Sequence, residues 1–145
     1  MIDQSKKKSL IEHIKKQEMQ LEREIFLSPD LYFDGYGATQ CTICANNTTP
    51  ISTSRFAAHL RKIQDKPDVL AVFVRFCDYS DAEDSEDCWI GSDSVYVITS
   101  ADLDVVRDWF FDFEISDVWL ENDFSKFVGL PKIPDSFHLI AVWWD

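Results

Sequence analysis

The four cysteines are the residues of this sequence best suited to hold a metal ion or react with an oxidant. Cys41 and Cys44 form a CxxC motif, and Cys77 and Cys88 follow later in the chain. Zinc knuckles place CxxC in a tight turn, but here the two intervening residues favour a strand, which sends residues i and i+3 to opposite faces. A redox motif would need the pair at a helix N-terminus. We therefore predict no metal, no cofactor and four free, buried thiols in a reducing compartment.

A general base would have to come from the three histidines. His13 lies on a charged segment and His59 lies near Arg55 and Lys62, so we predict that both are solvated. His138 interrupts an apolar segment and is expected to be partly buried, which is more typical of a core histidine than of a catalytic one. The chain has no GxGxxG, GxxxxGK[ST], HExxH or GxSxG motif, so we predict no catalytic residue.

A run of acidic residues lies just before Trp89, with only Cys88 between them. The run comprises Asp81, Glu83, Asp84, Glu86 and Asp87. It lacks the glycine and the terminal glutamate of an EF-hand loop, so weak calcium or magnesium binding and a merely solvated loop are two interpretations. The third is a binding surface for a basic protein, because negative charge accelerates encounter and a desolvated aromatic residue stabilises the complex.

The composition indicates one folded, acidic domain. The chain has 145 residues, of which 46% are hydrophobic, and its formal net charge is -12. Between Asp78 and Asp123 there are 15 acidic residues and one basic residue, Arg107. Such a surface repels nucleic acids and anionic membranes, and the sequence has neither a membrane-length apolar run nor a signal peptide. We expect a cytoplasmic protein, residues 1–145 forming a single domain, with a basic partner.

Residues 5–26 are predicted to form a surface helix. Its apolar residues recur at helical spacing: Leu10, Ile14, Leu21 and Ile25. Ser9 and Glu12 have the spacing of a capping box, and Ser28–Pro29 would end the helix. The narrow apolar stripe suggests a peripheral helix packed along one side of the domain, or a dimer contact, with fraying through residues 1–8.

The remaining patterns predict an α+β fold. We expect a hairpin of residues 31–34 and 41–45, followed by a helix that starts at Thr53 and buries Phe56, Leu60 and Ile63. Strands 69–76 and 94–99 should flank a long acidic loop, and a helix capped by Thr99 and Asp102 should follow, with an apolar stripe that reaches Phe113. After an irregular region, 117–135, we expect a strand of residues 137–144 with Leu139, Ala141 and Trp143 in the core. We therefore expect a mostly antiparallel sheet of about five strands with about three helices, in the order α-ββ-α-ββ-α-β.

Several turns and strand ends are distinctive: residues 31–35 with 44–46, residues 66–69, residues 94–101 and the closing Trp143-Trp144-Asp145. They resemble a family of small, acidic, uncharacterised bacterial proteins, and the likeness covers residues 31–145 without the N-terminal helix. By type, a compact acidic α+β protein rich in aromatic residues is also similar to the immunity proteins with which bacteria block their own toxins, many of them basic nucleases.

Together these observations predict a non-enzymatic binding protein, an immunity protein that occludes the active site of a basic, nuclease-like toxin. We expect a monomer or a weak homodimer. A small hydrolase using His138 with a carboxylate, and a DNA-mimic inhibitor of host defence, are the alternatives. The predicted partner-binding residues are Asp81, Glu83, Asp84, Glu86, Asp87, Trp89, Asp104, Asp108, Asp112 and Trp119.

Overall fold

A computed structural model describes residues 1–20, 24–37 and 41–145 of the chain. Within these ranges the helices are α1 (Gln4–Gln20), α2 (Pro29–Phe33), α3 (Thr53–Gln64), α4 (Ser80–Asp84) and α5 (Leu103–Trp109). The strands are β1 (Glu24–Leu27), β2 (Val69–Arg75), β3 (Ser94–Thr99), β4 (Asp117–Leu120), β5 (Phe127–Val128) and β6 (His138–Trp143). Single 3₁₀ turns cover Thr42–Cys44, Phe111–Phe113 and Phe124–Lys126.

The strands form one mixed sheet in the order β4-β6-β3-β2-β1-β5. In the described residues, β1 and β5 run parallel and the other neighbouring pairs are antiparallel. The α+β prediction is confirmed, although the described residues contain six strands and five helices rather than about five and three. Two of the strands, β4 and β5, lie in the region predicted to be irregular.

The two faces of the sheet are covered differently. Apolar residues of α1, α2, α3 and α5 pack with alternate strand residues such as Val72, Val95 and Val142 into one large cluster. The opposite face carries a smaller cluster around Phe26, Tyr96 and Leu139, which the segment 130–137 partly covers. The helices therefore form a layer on one face of the sheet. Among the described residues, none of the helices combines the length and the apolar character needed to cross a bilayer.

The start of the chain is held more tightly than the sequence indicates. The Asp3 carboxylate accepts a hydrogen bond from the Lys6 backbone N–H at 3.1 Å, so Asp3 caps α1 and the predicted capping box of Ser9 and Glu12 is wrong. Ile2 is buried, so the predicted fraying is wrong as well. Residues 24–26, predicted as helix, belong to β1; Leu21 lies outside the described residues.

The predicted hairpin of residues 31–45 is wrong, because α2 and a 3₁₀ turn occupy its two strands. Ser28 and Pro29 start α2 instead of merely ending the preceding helix: the Ser28 hydroxyl accepts a hydrogen bond from the Leu31 N–H at 3.2 Å, and proline suits a first helical position. Gly37, with φ of 89°, lets the backbone pass the first residues of the chain, where an added Cβ would lie 2.9 Å from the Met1 carbonyl oxygen.

The middle of the chain follows the sequence closely. Helix α3 and strands β2 and β3 lie where they were predicted, and β2 pairs with β3 antiparallel. The stripe behind β3 forms α5 and a 3₁₀ turn, but Thr99 is no cap, since its hydroxyl donates to the Asp68 carbonyl at 2.7 Å. In β6, Leu139 and Ala141 are buried as predicted, whereas Trp143 is half-buried.

Candidate binding cleft at the acidic segment

The acidic segment, residues 78–87, is a folded excursion between β2 and β3. Its first turn is the short helix α4, and its base is closed by backbone hydrogen bonds. The Gly91 N–H donates to the Asp78 carbonyl at 2.7 Å, and the Cys77 N–H donates to the Gly91 carbonyl at 3.0 Å. The five predicted binding acids of this segment are all exposed. The sequence therefore located the acids correctly but predicted a plain loop.

Trp89 supports the segment from below. Its side chain is only 3% exposed, its indole N–H donates to the Tyr32 carbonyl at 2.9 Å, and its ring stacks on Tyr36 with 5.1 Å between centroids. The sequence predicts Trp89 as the aromatic anchor of a partner contact, but the side chain is buried within the protein itself. Both the apolar ring and the N–H group find their partners inside the protein, so little of the side chain is left for a partner to bury.

Helix α1 binds the acidic segment on one side. The ammonium group of Lys7, a residue only 5% exposed, donates to the carbonyls of Ser85 and Cys88 at 2.8 and 3.1 Å. Lys15 forms an ion pair with Glu83 at 2.6 Å. A cavity of about 380 Å³ lies between α1 and the segment. The lysines of α1 therefore partly neutralise this side, an interaction that the sequence analysis missed although the helix is rich in lysine.

A second cavity, the acidic cleft, opens on another side of the segment and has a volume of about 410 Å³. Its described lining includes three carboxylates and neither lysine nor arginine; the residues are Tyr36, Thr42, Asp78, Asp81, Asp87, Cys88, Trp89, Gly91 and Ser92. The Asp78 carboxylate accepts hydrogen bonds from the Ser80 N–H and hydroxyl at 2.8 and 2.9 Å. These bonds lower the pKa of Asp78 and keep its carboxylate charged at neutral pH.

The acids of the third predicted helix lie in a different setting. Asp104 pairs with Arg107 at 3.2 Å on the surface of α5. Asp108 and Asp112 are exposed, as predicted, and line the α3–α5 groove, a cavity of about 490 Å³. The other residues that line this groove are Arg55, Ala58, His59, Lys62, Trp109, Phe111 and Phe113. Basic side chains of α3 thus face the acids across the groove.

His59 is half-buried in this groove, so its predicted solvation is wrong. Its Nε2 lies 2.7 Å from the Trp109 carbonyl and must donate to it, and its ring stacks on Phe113 at 4.3 Å. Burial lowers the pKa of His59, and the charges of Lys62 and Arg55 lower it further, against the opposing effect of the hydrogen bond to Trp109. His59 is therefore a neutral packing residue at pH 7.

The predicted binding residues lie in three settings. The acidic segment is the excursion between β2 and β3 and packs against α1, whereas Asp108 and Asp112 lie in the α3–α5 groove, and α5 contacts β4 and β6. Trp119 packs on the face of the sheet opposite the helices. It therefore does not lie at the centre of a contact made by the acids of α5.

The cysteines and His138 lie in different surroundings, and one of them, Cys88, lines the acidic cleft. Cys41 and Cys44 are buried and free, whereas Cys77 is exposed, contrary to the prediction. Within residues 1–20, 24–37 and 41–145, no three His, Cys, Asp or Glu side chains are grouped to hold a metal ion. His138 is half-buried, as predicted, and lines none of the cavities described above.

The 41–44 segment corrects the strand prediction most clearly. Cys41 is the N-cap residue and Cys44 the last residue of a single 3₁₀ turn. Residues three apart lie on the same side of such a turn, not on opposite faces. The Asn and Thr residues that follow, taken as the end of a hairpin, instead bind the region after α5: Asn47 donates to the Phe113 carbonyl at 2.7 Å, and Thr49 N–H donates to Glu114 at 3.2 Å.

Comparison with known proteins places the chain in a family. A family model described as the uncharacterized protein YfbO family matches residues 5–142. The match includes α1, which lies outside the resemblance seen in the sequence. It stops before residues 143–145, so it does not test the closing Trp143-Trp144-Asp145. The uncharacterized protein YfbO of Escherichia coli (strain K12) is 28% identical over 106 residues, covering 72% of this chain and 71% of the relative. No solved structure matches the chain significantly. The extent of the family match shows that the chain belongs to the uncharacterised YfbO protein family.

Proposed function

We propose that the protein binds a basic protein through the acidic cleft and acts as an immunity protein against a nuclease-like toxin. The acidic cleft carries this proposal: the carboxylates of Asp78, Asp81 and Asp87 surround a cavity of about 410 Å³ that no lysine or arginine of the described ranges lines. The α3–α5 groove, in contrast, has its own basic residues opposite its acids.

The cleft has the chemistry to receive a lysine or arginine side chain. Carboxylates form charge-assisted hydrogen bonds with ammonium and guanidinium groups. The aromatic residues Tyr36 and Trp89 also line the cavity. Both are buried and their rings stack on each other, so they supply an apolar wall behind the carboxylates. Under this proposal the partner supplies the inserted side chain, and Trp89 forms part of the wall that receives it.

Long-range charge would bring the two proteins together. The formal net charge of -12 attracts a basic partner, and such steering can raise association rates well above the ordinary range, which is about 10⁵ to 10⁶ M⁻¹s⁻¹. A nuclease needs basic residues at its active site to hold phosphates. A cleft that captures one of those residues would block the nucleic acid by occupying its place.

An arginine-rich peptide is the direct probe of the cleft. We expect calorimetry at low salt to show binding to the wild-type chain that weakens steeply as salt rises. The variant Asp81→Asn/Asp87→Asn should lose most of this binding. The matched variant Asp108→Asn/Asp112→Asn removes the same charge from the α3–α5 groove and should retain it. Equal losses in both variants would mean that net charge, not the cleft, attracts the peptide.

Inhibition requires a separate test with a nuclease. The chain should be co-expressed with each toxic gene product encoded beside it, and growth and nuclease activity should be measured. We expect wild-type protein and Asp108→Asn/Asp112→Asn to protect the cells, and Asp81→Asn/Asp87→Asn to protect them poorly. Peptide binding without any protection would support cation binding by the acidic cleft and refute the immunity function.

A further inference from the structure

The CxxC motif occupies a geometry that the sequence analysis excluded. Cys41 and Cys44 begin and end one 3₁₀ turn, which places their side chains on the same side of the backbone. The Cys44 Sγ lies 3.9 Å from the Cys41 carbonyl oxygen, and the interaction of the two thiols shifts their pKa values in opposite directions. The two side chains therefore lie close together in the folded protein.

The surroundings distinguish the two sulfur atoms. The hydrogen bond from Cys41 lowers the pKa of the Cys44 thiol against the opposing effect of burial, with smaller contributions from a backbone N–H and the Arg55 charge. The same hydrogen bond and burial raise the pKa of Cys41. The thiolate is the reactive form of cysteine, so these opposite shifts favour Cys44 as the nucleophile of the pair and Cys41 as the resolving thiol.

We propose that Cys41 and Cys44 form a reversible intramolecular disulfide when a small peroxide oxidises the protein. The Cys44 thiolate attacks one peroxide oxygen and the O–O bond breaks, which leaves a sulfenic acid and hydroxide. The Cys41 sulfur then attacks the Cys44 sulfur, the S–O bond breaks, and the oxygen leaves as water with the Cys41 proton. Overall, two thiols and one hydrogen peroxide give one disulfide and two waters.

The location of the pair determines which oxidant can reach it. Cys41 is 0% exposed and Cys44 is 1% exposed, so a folded oxidoreductase cannot contact either sulfur, whereas a molecule the size of water requires only a slight opening. Thr42, between them, is exposed and lines the acidic cleft. Ala45, which follows Cys44, is exposed as well, so solvent reaches a residue adjacent to each cysteine. Cys77 is accessible, but burial of its sulfur and the nearby Asp93 raise its pKa to about 11, which disfavours its thiolate.

The test uses the variant Cys77→Ser/Cys88→Ser, which leaves the pair untouched. Hydrogen peroxide should lower the mass of this protein by two hydrogen atoms, a reductant should restore it, and peptide mapping of the unreduced protein should link Cys41 to Cys44. Adding Cys44→Ser should abolish the mass change. Adding Cys41→Ser instead should leave a sulfenic acid on Cys44 that a dimedone reagent traps.

Three outcomes would overturn the proposal. The first is that no disulfide forms in Cys77→Ser/Cys88→Ser while circular dichroism shows a folded protein. The second is direct conversion of Cys44 to sulfinic acid although Cys41 is present. The third is a disulfide that forms only under conditions that unfold the chain. Peptide mapping of the double variant does not depend on whether either additional serine variant folds.

Discussion

The acidic segment and the α5 acids carry the same kind of charge in two different settings. Asp108 and Asp112 face Arg55 and Lys62 across the α3–α5 groove. The acidic segment contacts lysines only on the side of α1, and the acidic cleft on another side has no basic residue among its described lining. The difference shows that the position of the counter-charges, rather than the density of acids, decides which carboxylates have no basic neighbour in their cavity.

The largest expected effect follows the replacement of Trp89, because the ring is buried under the acidic segment. Trp89→Ala should lower the free energy of unfolding by about 3 to 5 kcal/mol, since truncation of a large buried aromatic residue leaves a cavity. Phe111, in the α3–α5 groove, is 83% exposed, so the control Phe111→Ala should change stability by less than about 0.5 kcal/mol. Urea denaturation measures both. A stable Trp89→Ala would return the tryptophan to the role of a partner contact.

A smaller loss is expected when Lys7 is replaced. Lys7→Met removes the ammonium donor that the carbonyls of Ser85 and Cys88 share, which should cost about 1 to 3 kcal/mol. The exposed Lys16 on the same helix gives the control Lys16→Met. Hydrogen exchange should become faster in residues 80–90 of Lys7→Met and stay unchanged around α5. Uniform acceleration throughout the domain would show that Lys7 does not act locally on the acidic segment.

The third prediction concerns pH and separates the groove from the cleft. In the folded chain the pKa of His59 lies below its ordinary value of 6.5. The unfolded chain therefore binds the proton more readily than the folded chain does. The stability that neutral His59 contributes should be fully present at pH values above the ordinary pKa. It should decrease as the pH falls from the ordinary pKa through the lower pKa of the folded chain. His59→Gln keeps an N–H donor for Trp109 and should flatten this part of the melting-temperature profile, measured from about pH 5 to 8. Parallel profiles for both proteins would contradict the lowered pKa.

The smallest effect on stability is expected at the Lys15–Glu83 ion pair. Both side chains are about half exposed, so Lys15→Gln should change the free energy of unfolding by less than about 1 kcal/mol. It removes a positive charge beside the acidic segment and should therefore increase the on-rate of the arginine-rich peptide at low salt. Lys132→Gln, far along the chain in another cavity, changes net charge equally and serves as the control. If both variants raise the on-rate of the peptide equally, net charge rather than the position of Lys15 explains the effect.

Periodic segments could be predicted from the sequence because their own residues decide their structure. The spacing of Phe56, Leu60 and Ile63 predicts α3, and the β-branched run of residues 94–99 predicts β3. Short segments could not be predicted in this way. Residues 31–33 have strand-like side chains, but the Ser28 cap and Pro29 start a helix there, and the pairing of β5 with β1 depends on a strand distant in sequence.

The candidate site shows the same division. The sequence predicts where acids are dense and that they are exposed, because charged residues avoid burial. It does not predict that Lys7 binds Ser85 and Cys88, since that contact joins segments far apart in the chain. Trp89 could not be assigned from its position beside the acids, because only the fold supplies the Tyr32 carbonyl that satisfies its N–H group.

The place of β6 in the sheet has a consequence for folding during synthesis. Strand β6 lies between β3 and β4, although both precede it in the chain. All six residues of β3 are buried in the folded protein, so until β6 emerges from the ribosome one hydrogen-bonding edge of this apolar strand has no partner. At ordinary translation rates that interval is on the order of seconds. An open, apolar strand edge is a template for aggregation, so the nascent chain should depend on chaperones more than the stability of the finished sheet would suggest.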